Sequence, residues 1–224
     1  AGLAHGIATG RSLKNRYHRR MTEKSFLDSA YDVSGAKDTI DLYAQWSASY
    51  DKEVGANGYA TPGRVAAALA QTAPKSAIVL DYGCGTGLAG LALKTAGFTS
   101  VHGADPSQEM LDGAAKKEVY DSLTLLDLQA GPPFKTGQFD VISAIGVIGA
   151  GAAPVTVFDL LFDLLAPGNF FAFSYNDHTL EDAAFMDRVS DALNAQKANI
   201  LFQGYGDHLP GRDMNSMVYV LQRR

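Results

Sequence analysis

The chain has 224 residues, 46% of them hydrophobic, enough for one domain with a sizeable core and too much for a disordered chain. Its single cysteine, Cys84, excludes an intrachain disulfide framework and argues against a zinc cluster, so no metal is expected. The formal net charge of −5 argues against a nucleic-acid binder that works by bulk phosphate attraction, and no apolar run approaches the roughly 20 residues of a membrane span.

Residues 1–28 carry Arg11, Lys14, Arg16, Arg19, Arg20 and Lys24 against Glu23 and Asp28, so the rest of the chain is acidic. A basic stretch on an acidic body reads as a separate segment, and residues 1–30 are expected to be a flexible tail. It lacks the apolar core of a secretory signal. Residues 31–75 are expected to form a helical cap. Ile40, Tyr43, Ala44 and Trp46 recur at helical spacing, Asn57-Gly58 marks a turn, and a helix is predicted over 61–73, with Thr61 as N-cap and Pro62 in its first turn.

From Ser76 onward the pattern changes to short apolar runs alternating with helical ones. Strands are predicted over 77–82, 100–105, 123–127, 139–148 and 170–175, and helices over 86–97, 107–117, 154–165 and 180–195. Two closing strands, 199–205 and 217–223, have no helix between them. The expected fold is a Rossmann-like, doubly wound, seven-stranded, mostly parallel sheet with an antiparallel C-terminal edge hairpin and an N-terminal helical cap, the core spanning residues 76–224.

The most informative stretch is VLDYGCGTG, Val79–Gly87. Gly83, Gly85 and Gly87 lie between a strand and a helix, where a ligand can approach the backbone closely. The dinucleotide fingerprint needs a glycine at the sixth place, and Leu88 stands there instead. Asp81, two residues before the first glycine, would repel a pyrophosphate and attract the ammonium of a methionine moiety. Asp105, at the end of the second strand, can accept from both hydroxyls of a ribose. Asp127, at the end of the third, could accept from the amine of an adenine. Acids at three successive strand ends around a glycine loop favour an amino-acid-bearing nucleoside over a dinucleotide.

VLDYGCGTG, GADPS with Met110, LLDL and FDVI together resemble the motif series of class I S-adenosylmethionine-dependent methyltransferases, over about residues 40–175. More narrowly, YAQWSASYD, GYATP and GLAGLALKTAGF are similar to the methyltransferase-like proteins of the Williams–Beuren syndrome region and their bacterial relatives. The resemblance implies a site for S-adenosylmethionine. Asp81, Gly83 and Gly85 would hold the methionine end, with Cys84, Thr86 and Gly87 completing the loop. Asp105 would bind the ribose, Pro106, Ser107 and Met110 would flank it, and Asp127 with Leu128 would bind the adenine. Ala144 and Ile145 would line the methyl-donor centre, and Trp46 and Tyr50 would close over the cofactor. Pro106 departs from the hydrophobic residue that many relatives carry there, although its ring can still pack on adenine.

The acceptor side is less marked. His178 and His208, in two loops beyond the fifth strand, are the candidate general bases, because histidine titrates near neutral pH. The loop after the fourth strand, AIGVIGAGAAP, is small and apolar and lacks the Asn-Pro-Pro-aromatic pattern of many DNA and protein amine methylators. The expectation is methyl transfer to oxygen or nitrogen of a small molecule, yielding S-adenosylhomocysteine, by a cytoplasmic monomer or homodimer with no nucleic-acid or membrane partner. The alternative is a cofactor-binding module or partner subunit without activity of its own.

Overall fold

A computed structural model describes residues 26–30, 35–149 and 151–224, the side chains of Asp28 and Ala36 excepted. The basic stretch before Phe26 lies outside the described residues. Among the described residues three helices come first: α1 (Phe26–Ser29), α2 (Ala36–Trp46) and α3 (Tyr50–Ala56). Next follow α4 (Thr61–Thr72), β1 (Ile78–Tyr82), α5 (Leu88–Thr95), β2 (Ser100–Asp105), α6 (Gln108–Ala115) and β3 (Ser122–Leu125). The second half holds β4 (Val141–Ala144), α7 (Thr156–Asp163), β5 (Phe170–Asn176), α8 (Asp177–Leu180), α9 (Ala183–Asn194), β6 (Ala198–Leu209), a 3₁₀ turn (Pro210–Arg212) and β7 (Met214–Arg223).

The seven strands form one sheet in the order β3-β2-β1-β4-β5-β7-β6. The first five are parallel, and β7 runs antiparallel between β5 and β6. The Rossmann-like expectation therefore holds, including the antiparallel edge pair. Strand order reverses between β1 and β4, and ligands of open α/β sheets bind beyond the carboxyl ends of the strands at such a switch.

Two apolar layers sandwich the sheet. One gathers Leu80, Ile142, Phe171, Phe173 and Tyr219 with α7 and α9. The other gathers Val79, Val101, Val141, Val218 and Val220 with α4 and α5. Helix α4, expected in the cap, thus packs on the sheet through Val65, Ala66 and Leu69, and the cap proper is α1–α3. That smaller cluster joins Leu27, Trp46 and Val54 to Leu209.

Three local expectations are corrected. Thr61 opens α4 without capping it, because its hydroxyl is held by His208 and Ser216. The fourth strand stops at Ala144, not at residue 148, since Gly146 turns with φ +71°. The helix expected over 180–195 splits into α8 and α9, each with its own cap: Asn176 accepts from the Thr179 N–H and Asp182 from the Ala184 N–H.

Phe173 is fully buried at the centre of an aromatic cluster with Phe158, Phe171, Tyr175 and Tyr219. Phe173→Ala is expected to lower the unfolding free energy by about 3–5 kcal/mol in urea denaturation. A loss under 1 kcal/mol would contradict this placement.

Candidate active site

β1 delivers the chain into the glycine loop. A side chain at Gly83 would strike Val147, 2.4 Å from the position of its Cβ, so the loop after β4 presses directly on the backbone there. Gly85 has φ +52° and open space where a Cβ would be. Its N–H donates to Asp105 Oδ2 at 2.9 Å, and the Ser107 N–H donates to Asp105 Oδ1 at 2.9 Å. One carboxylate thereby ties the loop after β1 to the loop after β2. Ser107 also caps α6, its hydroxyl accepting from the Met110 N–H.

A cleft of about 910 Å³, counting the space at its mouth, opens above these loops. Of the residues assigned to a cofactor from the sequence, Gly83, Gly85, Asp105, Pro106, Ser107, Met110, Leu128, Ile145 and Tyr50 line it. Thr39, Ile40 and Tyr43 of the cap and Val147, Pro154 and Val157 beyond β4 line it too. Those six were not anticipated, since nothing local in their sequence marks them.

Other expected residues stand elsewhere. Asp81 does not line the cleft. It is 1% exposed, and its carboxylate accepts the Tyr120 hydroxyl at 2.7 Å and the Ser143 hydroxyl at 3.1 Å. Burial raises its pKa to about 6, against those two hydrogen bonds and with the help of nearby Asp105. Cys84 is buried, and burial next to Asp81 and Asp105 pushes its thiol far up, which suits no nucleophile. Ala144 is sealed inside the sheet. Asp127 is exposed and turns back on its own loop, where Oδ1 accepts the N–H of Gln129 at 2.9 Å. Gly87 is the left-handed residue that starts α5 and faces Tyr120 and Ala114.

Thr86 is buried and serves the cap. Its hydroxyl donates to Asp51 Oδ1 of α3. Lys117 Nζ bridges Asp51 Oδ2 and the Thr86 carbonyl, each at 2.6 Å. This three-way clasp fastens the cap to the glycine loop, and no local motif marks it because its members are 31 to 66 positions apart.

A second cavity, of about 610 Å³ with its mouth, adjoins the cleft and shares Tyr43, Tyr50, Gly146 and Ala152 with it. Trp46 and His208 belong to this cavity. His178 lines neither space and is exposed on α8. His208 is 7% exposed, and burial drops its pKa to about 4, further depressed by Arg64 and partly offset by Asp177. A histidine that reluctant to take a proton is a poor general base at neutral pH. Of the two candidate bases, His208 thus lines the second cavity with a lowered pKa, and His178 stands outside both spaces.

The methyltransferase domain family matches the chain over residues 57–210. The chain belongs to that family. Human methyltransferase-like protein 27 is 32% identical over 130 residues, 56% of this methyltransferase-domain chain and 53% of the human protein. The bovine 18S rRNA (guanine-N(7))-methyltransferase is 41% identical over 86 residues, 38% of this chain and 30% of the bovine one. The chain thus spans about half or less of the length of these curated relatives. A Thermotoga maritima structure described as a S-adenosylmethionine-dependent methyltransferase, possibly a histamine N-methyltransferase, superposes with a TM-score of 0.57 at 16% identity, covering 83% of this chain and all of that one. S-adenosylmethionine is the cofactor of the family, and the cleft suits it. Each Asp105 oxygen spends one lone pair on a backbone N–H and keeps another for a vicinal diol.

Two predictions follow from the buried acid and the clasp. The folded pKa of Asp81, about 6, lies above the usual carboxylate value, so the stability it contributes is full below about pH 4 and lost as pH rises through 6. Asp81→Asn should therefore gain on the wild type between pH 4 and 8, by up to about 3 kcal/mol in denaturant titrations. A pH-independent difference would contradict the burial of that charge. Lys117→Met should loosen the cap and speed S-adenosylhomocysteine dissociation about tenfold or more in stopped-flow measurements; an unchanged off-rate would detach the clasp from ligand retention.

Proposed function

We propose that this chain transfers a methyl group from S-adenosylmethionine to an uncharged acceptor seated in the second cavity. The carrying observation is the Asp105 carboxylate, held by two backbone N–H groups at the floor of an apolar cleft next to that cavity. In this reading Asp105 accepts both ribose hydroxyls, and Met110, Pro106 and Leu128 pack on the nucleoside. The loop backbone at Gly83 and Gly85 lies against the methionine portion, and Asp81 acts from behind it by holding Tyr120 rather than by touching an ammonium. Gly146 lines both cleft and cavity and its neighbour Ile145 lines the cleft, and this reading puts the transferred methyl beside them.

When bound, the cofactor supplies a methyl carbon already activated by its sulfonium. What the chain adds is position and dryness. Tyr43 and Tyr50 close the shared wall, and the clasp through Asp51 and Lys117 keeps the cap over it. Among the described residues no carboxylate or amine lines the second cavity, and His208 stays neutral. The acceptor atom must then arrive with a free lone pair, or shed its proton to water after attack.

A free small molecule remains the first reading, supported by the net charge of −5. A nucleobase in RNA is the second, favoured by the identity to the bovine rRNA methyltransferase. Helices long and apolar enough to cross a membrane are absent among the described residues.

Asp105→Ala removes two acceptors of charge-assisted hydrogen bonds, each contributing about 1.5–3 kcal/mol. Calorimetry should show S-adenosylhomocysteine affinity reduced about 100-fold or more, with the circular dichroism spectrum unchanged. Wild-type affinity in a folded variant would remove the ribose assignment.

A further inference from the structure

The second cavity has a hydrogen-bonding polarity that can be worked out from its neighbours. His208 Nδ1 lies 2.8 Å from Thr61 Oγ1, which lies 3.0 Å from Ser216 Oγ. Arg64 sits beyond Ser216, with its NH1 at 2.9 Å from Ser216 Oγ and 3.0 Å from the Ser216 carbonyl. A guanidinium only donates, so the Ser216 hydroxyl cannot give its proton to Arg64. Thr61 Oγ1 is the acceptor in reach, and the Thr61 hydroxyl in turn gives its proton to His208 Nδ1. Counting donors along this chain assigns the His208 proton to Nε2. The opposite order would strand the hydroxyl proton of Ser216, a fully buried residue.

Three further polar side chains of the wall, Ser174, Asn176 and Trp46, also have a proton to give. Ser174 Oγ accepts the Gly146 N–H at 3.0 Å, which leaves its proton to give. Asn176 Oδ1 is taken twice by Thr179, at 3.0 and 2.9 Å, which leaves its amide N–H groups. The Trp46 indole N–H is buried without a hydrogen-bond partner among the described residues. Four aromatic side chains, Tyr43, Trp46, Tyr50 and Tyr59, stand around these donors, and no charged side chain does so among the described residues.

We propose, resting on the reading that the adjoining cleft holds the methyl donor, that this cavity takes a flat, uncharged ring bearing oxygen or nitrogen hydrogen-bond acceptors. The aromatic walls supply stacking faces. The N–H and O–H groups of His208, Trp46, Ser174 and Asn176 meet carbonyl oxygens or ring nitrogens. A carboxylate would find no cation and would be desolvated without compensation, and an alkylammonium would meet donor hydrogens and no carboxylate, a cost that the aromatic faces offset only in part. His208 is here a positioning residue for the ring, not a base. Free heterocycles and the exposed bases of RNA share this chemistry.

Trp46 is the only tryptophan of the chain, so its indole N–H gives a single resonance. The full chain would be titrated with S-adenosylhomocysteine, then with nicotinamide, guanosine, cyclohexylammonium, cyclohexanecarboxylate and a guanine-containing RNA hexanucleotide. Saturable shifts of that resonance by nicotinamide or guanosine, and none by the two charged aliphatics, are expected. Shifts by the aliphatics alone, or by no compound, would overturn the proposal. A hexanucleotide that saturates about tenfold below guanosine assigns the ring to RNA; equal or weaker binding assigns a free ring. Long-range proton–nitrogen spectra should find the His208 proton on Nε2, and a proton on Nδ1 would overturn the polarity. His208→Leu should weaken ring binding about tenfold while His208→Gln, which keeps a donor, stays within about threefold, and both should hold S-adenosylhomocysteine as the wild type does. Equal ring affinity in all three would overturn the positioning role. A failed S-adenosylhomocysteine titration would sink the donor reading alone, since ring binding is read separately.

Discussion

Asp105 accepts from the N–H groups of Gly85 and Ser107, one on each oxygen, and the cleft is organised around that pair. A buried carboxylate is tolerated only when its oxygens are satisfied. Burial raises its pKa while the two backbone donors oppose the rise. A ligand that adds two hydroxyl donors would favour the charged form further. The loops that surround the ligand are therefore held by the group that would also read it, so the cleft is preformed.

Asp81 is a different kind of buried acid. Its donors are side chains, Tyr120 and Ser143, and Tyr120 is itself fixed by the Gly90 N–H at 3.1 Å. A methyl group at Gly90 would collide with the Tyr120 ring, 2.3 Å from its Cζ, so the glycine in α5 exists to admit that ring. Asp81, Tyr120 and Gly90 act as a brace behind the loop. The clasp of Asp51, Thr86 and Lys117 is the corresponding brace in front, joining cap to loop. Rigid support behind and a releasable closure in front suit a site that must open for exchange and close for reaction.

The fold was legible in the sequence because parallel strands buried on both faces read as short apolar runs, and because Gly83, Gly85 and Asp105 sit where β1 and β2 end. The two closing strands were read too short because the apolar pattern omits their turn-side ends: β6 runs on to Leu209 and β7 begins at Met214, where long antiparallel pairing extends past the hydrophobic centre. Cleft residues carried by a local motif were recoverable. Those set by tertiary contact were not. Asp81 looked like a ligand group until Tyr120, 39 positions away, claimed it. His208 looked like a base from the sequence, whereas the structure buries it with Nδ1 against the Thr61–Ser216 pair and burial pulls its pKa down. Thr61 looked like a helix cap for the same reason in reverse: its hydroxyl is used 147 positions away.

The most direct test of the account is calorimetric titration of the wild-type chain with S-adenosylhomocysteine and, in parallel, with NADH. A cleft built on Asp105, with Leu88 where a dinucleotide loop needs glycine, predicts saturable binding of S-adenosylhomocysteine and none of NADH. Binding of NADH, or of neither, would contradict it.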